Sequence, residues 1–470
     1  MRSRLWLSFV VASLALASGC QSAPTWLPFT STTAGPDRPE PLPQDPVIQA
    51  YFNQNPAQGA DYTDPYRNIE RPGDDLEAVI LDGINQAQTS LDVAVQELRL
   101  PRIAQALVAR HQAGIRVRVI IENTYNQPWS EREPSSSGDD PAEEFRLLAD
   151  QNQDGQLNAD EIQQADAIVL LRNAGVPMLD DTADGSKGSG LMHHKFMVID
   201  GLTVVTGSAN WTLSGVHGDM DAPASRGNAN NLVVIQHPTL AAAFTQEFNL
   251  MWGDGPGGRT DSRFGLQKPP RSPQILQVGG ATVTLNFSPL SPSEPWQHST
   301  NGVIGRALQQ AQSQVDLALF VFSEQPLADI LRDRHQNGVT VRALIDPSFA
   351  FRNFSEGLDM LGVTLLQNCK VEENNAPWPQ PLETVGMAAL PPGDKLHHKV
   401  AVIDGRTVIT GSHNWSIAAN HDNDETLLVI DHPTVAAHFQ REFDRLYQNA
   451  SLGLPPKIED KIAQAAAKCQ

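Results

Sequence analysis

Two segments of the chain repeat one pattern of histidine, lysine and small polar residues. Residues 191–212 and 395–416 both contain H-x-K-x4-D-x6-G-S-x-N. On a β-strand, residues two positions apart project to the same face, so His193 should lie beside Lys195, and His397 beside Lys399. Two imidazoles, two ammonium groups and several neutral donors suit a phosphate diester, whose non-bridging oxygens are stabilised by cations and hydrogen-bond donors.

The repeated pattern supplies both groups that phosphodiester cleavage needs. One imidazole can attack phosphorus and form a covalent intermediate, and the other can protonate the leaving oxygen and later activate water or an alcohol. Histidine suits both tasks because its pKa lies near neutrality, and no catalytic metal is required. The candidate catalytic residues are His193, Lys195, Asp200, Asn210, His397, Lys399, Asp404 and Asn414, with Gly207, Ser208, Gly411 and Ser412 in support.

Two other interpretations of the pattern are weaker. A single His-x-Lys on a strand is usually an unimportant surface pair, but here every fixed position is kept in both copies. A metal site is disfavoured because lysine is no ligand at neutral pH and no carboxylate-rich partner stands at metal spacing.

The segments around the motifs are also duplicated. Residues 84–98 parallel 308–322, residues 110–123 parallel 334–347, and residues 237–252 parallel 432–447. In each copy a helical pattern alternates with apolar runs of strand character, and an Asp-Gly turn closes a hairpin within the motif. This alternation of helical and strand patterns predicts an α/β fold with a parallel or mixed sheet covered by helices.

The paired motifs resemble the HKD motifs of the phospholipase D superfamily, over roughly residues 47–452. The resemblance implies two pseudo-symmetric α/β/α halves packed around a shared active site, and a phosphohistidine intermediate without a catalytic metal. In many two-motif members the first histidine is the nucleophile, so the resemblance implies that His193 attacks and His397 protonates.

The halves differ at one position that matters for the histidines. The family often has an acidic residue shortly after GSxN, which orients the motif histidine. Glu425 occupies that place in the second half, whereas the first half has Asn230. If Glu425 contacts His397, a nearby carboxylate should make His397 the more easily protonated of the two.

The first half carries an insertion with the pattern of a calcium loop. Residues 150–161, DQNQDGQLNADE, fit D-x-[DN]-x-[DN]-G-x5-E. We expect a weakly bound structural calcium rather than a sensor, and the alternative is an acidic surface loop that matches by chance. The candidate ligands are Asp150, Asn152, Asp154, Gln156, Asn158 and Glu161.

The N-terminus has the features of an export signal. Basic residues precede a short apolar run that ends in LASGC, which resembles a bacterial lipoprotein signal with Cys20 as the lipidated residue. An ordinary signal peptide is the alternative. The expected segments are a signal at 1–20, a disordered tether at 21–46, half 1 at 47–252 with the insert at about 142–166, a linker at 253–275, half 2 at 276–452 and a tail at 453–470.

The net charge of the chain and its expected export bear on which substrate the protein binds. A net charge of −20 argues against broad contact with nucleic acid, although a local basic cleft remains compatible with it. Export favours a phospholipase D acting at a phospholipid membrane surface. The alternatives are an exported nuclease or other phosphodiesterase, and a catalytically retired lipid-binding module. A cardiolipin synthase-like transferase is disfavoured, because those proteins usually carry membrane helices.

The sequence leaves two structural questions open. After Cys20, only Cys369 and Cys469 remain, and they could either pair or stay as free thiols. With both halves in one chain, a monomer suffices.

Overall fold

The computed structural model describes residues 38–132, 141–188 and 190–469. The predicted signal, the lipidation site Cys20 and residues 21–37 lie outside the described residues. No helix in these ranges is long and apolar enough to cross a bilayer.

The first half is built on a seven-stranded mixed sheet of order β1-β9-β8-β7-β4-β5-β6. Strand β4 pairs in parallel with β5 and antiparallel with β7. The strands of this half, including the β2–β3 ribbon, are β1 (Ile48–Phe52), β2 (Asp61–Thr63), β3 (Glu70–Pro72), β4 (Ser90–Val95), β5 (Arg116–Ile121), β6 (Met178–Asp180), β7 (Lys195–Ile199), β8 (Thr203–Gly207) and β9 (Asn231–Gln236). Its helices are α1 (Leu76–Gln86), α2 (Pro101–Gln112), α3 (Pro141–Ala149), α4 (Ala159–Ala165), α5 (Ala167–Asn173), α6 (Leu213–Val216) and α7 (Pro238–Trp252).

The second half repeats this sheet and extends it by a strand at each edge, in the order β10-β11-β19-β17-β16-β12-β14-β15-β20. Its strands, with the β13–β18 pair, are β10 (Gln274–Val278), β11 (Ala281–Phe287), β12 (Gln314–Leu319), β13 (Phe322–Ser323), β14 (Thr340–Ile345), β15 (Val385–Met387), β16 (Lys399–Ile403), β17 (Thr407–Gly411), β18 (Trp415–Ser416), β19 (Thr426–Asp431) and β20 (Ser451–Leu452). Its helices are α8 (Thr300–Gln309), α9 (Gln325–Gln336), α10 (Pro347–Ala350), α11 (Glu356–Met360), α12 (Ile417–His421), α13 (Pro433–Gln448) and α14 (Pro456–Lys468).

One hydrophobic core joins the two halves. Phe196 of β7 and Phe244 of α7 belong to the same buried cluster as Val400 of β16, Leu285 of β11 and Phe439 of α13. The opposite face of each sheet packs against its own helices, chiefly α1, α2 and α5 in the first half and α8, α9 and α11 in the second. Each half is therefore a layered α/β/α unit, and burial of the shared apolar face holds the two sheets together.

The predicted tether and the C-terminal tail are partly structured. Arg38 is hydrogen-bonded to the carbonyl of Pro56 (2.9 Å) and paired with Asp61 (2.6 Å), and Pro43 accepts a hydrogen bond from His438 (3.1 Å). The prediction of a disordered tether extending to residue 46 is therefore wrong at Arg38 and Pro43, which are hydrogen-bonded to the folded chain, although most of residues 39–46 are exposed. The C-terminal tail forms α14, which is tied to the loop at Cys369 by a disulfide with Cys469.

Candidate active site

The two motifs are brought together by an exchange of backbone hydrogen bonds between the halves. The His193 N–H donates to the carbonyl of Asp424 (3.0 Å), and the His397 N–H donates to the carbonyl of Ala229 (3.1 Å). Each motif strand is thus entered through a contact with the opposite half. Strand β7 begins at Lys195 and β16 begins at Lys399. His193 and His397 therefore lie just before the first residue of their strands, at the interface between the halves.

His193 is held by a carboxylate from the other half. Its Nδ1 lies 2.7 Å from Oε2 of Glu425, and the same oxygen accepts a hydrogen bond from Ser412 Oγ (2.7 Å). Glu425 has no exposed surface, and Asn423 donates to its second oxygen (3.3 Å). When Nδ1–H donates to this carboxylate, Nε2 carries the lone pair that a nucleophile needs.

His397 is held by a neutral amide in the mirrored arrangement. Its Nδ1 lies 3.0 Å from Oδ1 of Asn230, an oxygen that also accepts from Ser208 Oγ (2.8 Å). The Asn230 amide is fixed in turn by donation to the Gly215 carbonyl (2.8 Å). Glu425 therefore does not contact His397, which was the condition of the prediction, because Glu425 and Asn230 each contact the motif histidine of the other half. The argument that His397 should be the more easily protonated histidine fails with it.

The two motif lysines are buried without a carboxylate partner among the described residues. Lys195 Nζ donates to the His193 carbonyl (2.9 Å) and to Gln96 Oε1 (3.2 Å). Lys399 Nζ donates to the His397 carbonyl (2.9 Å) and lies 5.0 Å from the centre of the Phe320 ring. Burial lowers the pKa of Lys195 to about 7, and burial followed by repulsion from Lys195 lowers the pKa of Lys399 well below its ordinary value.

The cleft consequently brings together four basic groups whose protonated forms are disfavoured by burial and by mutual repulsion. Burial, and then repulsion from the two lysines, lowers the pKa of both His193 and His397 well below the usual range. A bound phosphate would supply negative charge and raise all four pKa values.

The small residues of the motif allow the strands to approach closely. A Cβ on Gly207 would lie 2.2 Å from the Asn231 carbonyl oxygen, and one on Gly411 would lie 2.3 Å from that of Thr426. Asn210 and Asn414 follow shortly after, and their side-chain oxygens are buried without a hydrogen-bond partner in the described structure.

The motif aspartates lie away from the histidines, at the hairpin turns. Asp200 has a φ of 53° and its carboxylate accepts hydrogen bonds from the backbone of residues 88–90 at 2.7–2.9 Å. At about 3.3 Å per residue it is roughly 16 Å along the strand from Lys195. Asp404 binds residues 312–314 in the same way. Both positions were predicted to be catalytic, but the structure gives them a structural contact at the far end of β7 and β16.

The second histidine of each motif is part of the support, a role that sequence reasoning missed. His194 Nδ1 lies 2.9 Å from Thr426 Oγ1, and His398 Nε2 lies 3.0 Å from Glu442 Oε1. Glu247 stands 3.5 Å from His194 Nε2 and also pairs with buried Lys268. Both copies of the repeat contain His-His-Lys in the motif and Glu-Phe in the helix that follows it. This duplication could have indicated that the second histidine contacts the helix glutamate.

The residues expected to bind calcium form a turn between α3 and α4. Asp150 accepts hydrogen bonds from the N–H groups of Asp154 (3.2 Å) and Gly155 (2.8 Å), and Gly155 has a φ of 78°. Leu157 packs against the buried cluster of Trp129, Phe145, Ala149 and Ala165. Backbone N–H groups of the loop also donate hydrogen bonds to the other expected side-chain ligands, Asn152, Asp154, Asn158 and Glu161. Gln156 was expected to bind calcium through its backbone carbonyl. Across the described ranges, no group of three or more His, Cys, Asp or Glu side chains is arranged to hold a metal ion.

Comparison with known proteins bears on the family of the chain and on its two-half architecture. A family model described as "Cardiolipin synthase, PLD-like domain" matches residues 80–252 and 304–447. The chain belongs to this PLD-like family. The two matched segments fall in the two halves, so the resemblance to the phospholipase D superfamily is confirmed at the level of the family and its duplication.

Curated relatives of the PLD-like chain are named "Mitochondrial cardiolipin hydrolase". The protein from Xenopus tropicalis is 30% identical over 36% of this chain and 56% of its own length. The one from Xenopus laevis is 30% identical over 42% of this chain and 86% of its own length. The chain thus spans just over half of the first relative.

A solved structure confirms the α/β fold class. The crystal structure of phosphatidylserine synthase from Haemophilus influenzae Rd KW20 superposes with a TM-score of 0.52 at 14% identity. The superposition covers 92% of this chain and 95% of that one. At this identity the likeness shows the fold alone.

Proposed function

We propose that this PLD-like protein is a phosphodiesterase that cleaves the head-group phosphodiester of membrane phospholipids through a phosphohistidine. The observation that carries the proposal is the pair of buried imidazoles, each fixed at Nδ1 by a residue of the other half, beside two ammonium groups without carboxylate partners. The names of the curated relatives support a phospholipid substrate.

In the first step His193 is the nucleophile. Its Nε2 attacks phosphorus and forms an N–P bond, while the bond from phosphorus to the head-group oxygen breaks. His397 gives its Nε2 proton to that oxygen, so the head group leaves as an alcohol. Glu425 stabilises the positive charge that develops on His193, whereas neutral Asn230 leaves His397 free to lose its proton. The two lysines stabilise the non-bridging oxygens.

In the second step water replaces the head group. His397, now neutral, takes a proton from the water, whose oxygen attacks phosphorus as the N–P bond breaks. The products are phosphatidic acid and free His193. An alcohol in place of water would give transfer instead of hydrolysis.

We also propose a structural calcium ion at the loop of Asp150 to Glu161. The sequence pattern and the left-handed turn at Gly155 support it. The ion would compete with backbone N–H groups for the same carboxylate oxygens, so we expect weak affinity, on the order of 10⁻⁴–10⁻³ M as in exported modules.

The proposed location is the cell envelope, with Cys20 as a lipid anchor and the membrane surface as the substrate. The pattern at residues 1–20 supports it. Replacement of Cys20 by Ala should abolish incorporation of labelled fatty acid; unchanged labelling would exclude Cys20 as the anchor.

The function is tested with purified protein, phospholipid vesicles and plasmid DNA, with and without EDTA. We expect head-group release that persists after chelation, and its loss in His193→Asn. Nicking of DNA without lipid hydrolysis would favour the nuclease alternative. Vesicle binding without hydrolysis of either substrate would favour the retired binding module.

A further inference from the structure

The segment between the two halves buries a lysine beside the residues that hold the first motif. Lys268 belongs to residues 253–275, which were expected to be only a linker, and its side chain has no exposed surface. Its Nζ pairs with Asp424 Oδ1 (2.5 Å) and also with Glu247. A buried ammonium group is stable only when it is paired, so these two carboxylates fix Lys268 and the linker with it.

The linker also encloses the Asp424 carboxylate through its backbone. The Gly265 N–H begins a short helical turn, Gly265–Gln267, and donates to both oxygens of Asp424 (2.9 and 3.1 Å). Asp424 is itself buried. The linker therefore supplies both the positive charge and the N–H group that hold this side chain in place.

Asp424 in turn holds the backbone of the first motif. Its carbonyl accepts a hydrogen bond from the His193 N–H (3.0 Å), and its N–H donates to the Leu191 carbonyl (2.8 Å). The next residue, Glu425, places its carboxylate 2.7 Å from His193 Nδ1. A displacement of Asp424 would thus move both the backbone of the proposed nucleophile and the group that orients its ring.

The second motif has no such support from the linker. Ala229 stands in the place of Asp424 and accepts from the His397 N–H (3.1 Å), but it has no side chain that a cation could bind. Glu442, the counterpart of Glu247, pairs with Arg445 of its own helix, α13 (2.8 Å). The linker occurs once in a duplicated chain, and it reaches the side of the cleft that holds His193.

We infer that Lys268 is a positioning residue for the nucleophile: it holds Asp424 in place, and through Asp424 it aligns His193 for attack on phosphorus. The inference rests on the proposed phosphohistidine mechanism. Misplacement of a reacting group by about 1 Å can slow a reaction by about 10²-fold, so this contact should matter for kcat although Lys268 acts only through Asp424.

A burst experiment separates alignment from stability. In a His397→Asn background, bis(p-nitrophenyl) phosphate should modify His193 once, so the burst amplitude counts folded sites and its rate constant reports the attack. Lys268→Met should lower that rate constant at saturating substrate by about tenfold or more, while the half-saturating concentration stays within about twofold. A wild-type rate constant at reduced amplitude would overturn the inference and leave a purely structural ion pair.

Arg271 provides the matched control. It lies in the same linker and pairs with Glu247 (3.2 Å), and its other described partners are backbone carbonyls and not Asp424. Arg271→Met should therefore reduce stability without changing the burst rate constant. Asp424→Asn should slow the burst as Lys268→Met does, and the double variant should be no slower, because both changes act on one contact. Additive losses, or an equal loss in Arg271→Met, would contradict the assignment.

Hydrogen exchange distinguishes this inference from the proposed function. The Asp424 carbonyl protects the His193 N–H, so peptides that contain His193 should exchange about tenfold faster in Lys268→Met than in the wild type or Arg271→Met. Strand β12 is the internal reference for global unfolding. Faster exchange in a protein that cleaves no diester would support the positioning role and refute the hydrolase. Unchanged exchange at His193 would refute the positioning role whether or not lipid is cleaved.

Discussion

Glu425 lies 2.7 Å from His193, although the two residues come from opposite halves of the chain. At the symmetric position Asn230 lies 3.0 Å from His397. The two imidazoles therefore share a geometry and differ in the charge behind them. A carboxylate favours the histidine that becomes positively charged on attack, and an amide favours the one that must lose a proton.

Glu425→Gln should lower kcat by about 10²-fold or more, since neutral replacement behind a catalytic histidine removes both charge and tautomer control. Stopped-flow or vesicle assays would measure it. Asn230→Asp is the complementary variant: a carboxylate beside His397 raises its pKa, so the alkaline limb of the pH–rate profile should move to higher pH. An unchanged limb would show that His397 is not the general acid.

An activated diester should reveal which histidine is phosphorylated. With bis(p-nitrophenyl) phosphate the leaving group needs little protonation, so His397→Asn should complete the first step and stall at the second. We expect a burst of about one p-nitrophenolate per enzyme molecule and an acid-labile phosphoryl group on His193, located by mass spectrometry. His193→Asn should give no burst. Phosphorylation of His397 in the wild type would reverse the assigned roles.

Binding of a phosphate-like anion should take up protons. The pKa of Lys195 is about 7 in the free protein, and a bound anion raises it. Between pH 7 and 9, tungstate affinity should therefore fall as pH rises, by at most about tenfold per pH unit for one linked proton. Calorimetry in buffers of different ionisation enthalpy measures the uptake.

Lys195→Met is the control for the tungstate measurement. It should bind tungstate weakly, with a smaller dependence on pH. It should also unfold at a higher temperature than the wild type near pH 7, because the buried charge is gone. This stability gain should shrink as pH rises toward the unfolded-state value near 10.5, since unfolding no longer adds a proton to wild-type Lys195. An unchanged tungstate affinity would place Lys195 outside the anion site.

The aspartates of the hairpin turns should matter for stability and not for chemistry. Burial opposes ionisation of Asp200, but the hydrogen bonds from residues 88–90 outweigh it and lower the pKa of Asp200. Asp200→Ala should reduce the free energy of unfolding by about 1–3 kcal/mol, from lost hydrogen bonds and a left-handed backbone. Asp200→Asn should lose less, and kcat should stay within about twofold for both. A large fall in kcat with unchanged stability would restore the catalytic assignment.

Calcium should stabilise the protein slightly. For a dissociation constant near 10⁻⁴ M, 1 mM calcium adds about 1.4 kcal/mol, which is about 1–2 °C in Tm for a chain of this size. EDTA should reverse the shift, and Asp154→Ser should remove it while leaving the Tm in EDTA close to the wild-type value. Identical melting of the wild type with calcium and with EDTA would count against the loop as an ion site.

The local elements of the fold follow from the sequence because their causes are local. Pro101 at the start of α2 and Gly114 after its end mark that helix, and the apolar strands joined by Asp200-Gly201 define the β7–β8 hairpin. Prediction fails where a contact spans the repeat. The sequence alone does not distinguish whether the acidic residue contacts the histidine of its own half or that of the opposite half. The fold decides this, and it places Glu425 beside His193.

Two other predictions are wrong, one because of local strand geometry and one because of long-range contacts. The spacing of Asp200 from Lys195 is compatible with catalysis, but a strand of five residues carries it away from the cleft. The Pro-rich segment before β1 has the composition of a disordered tether. Arg38 nevertheless donates a hydrogen bond to the Pro56 carbonyl, and the Pro43 carbonyl accepts one from His438.

The crossed contacts between the halves explain what a duplicated chain can do that a pair of identical subunits cannot. In a two-fold dimer of one sequence, any residue placed behind one imidazole must also stand behind the other. Once the copies are fused, each backing position can mutate alone, and a division of labour between nucleophile and acid needs only a single change from carboxylate to amide.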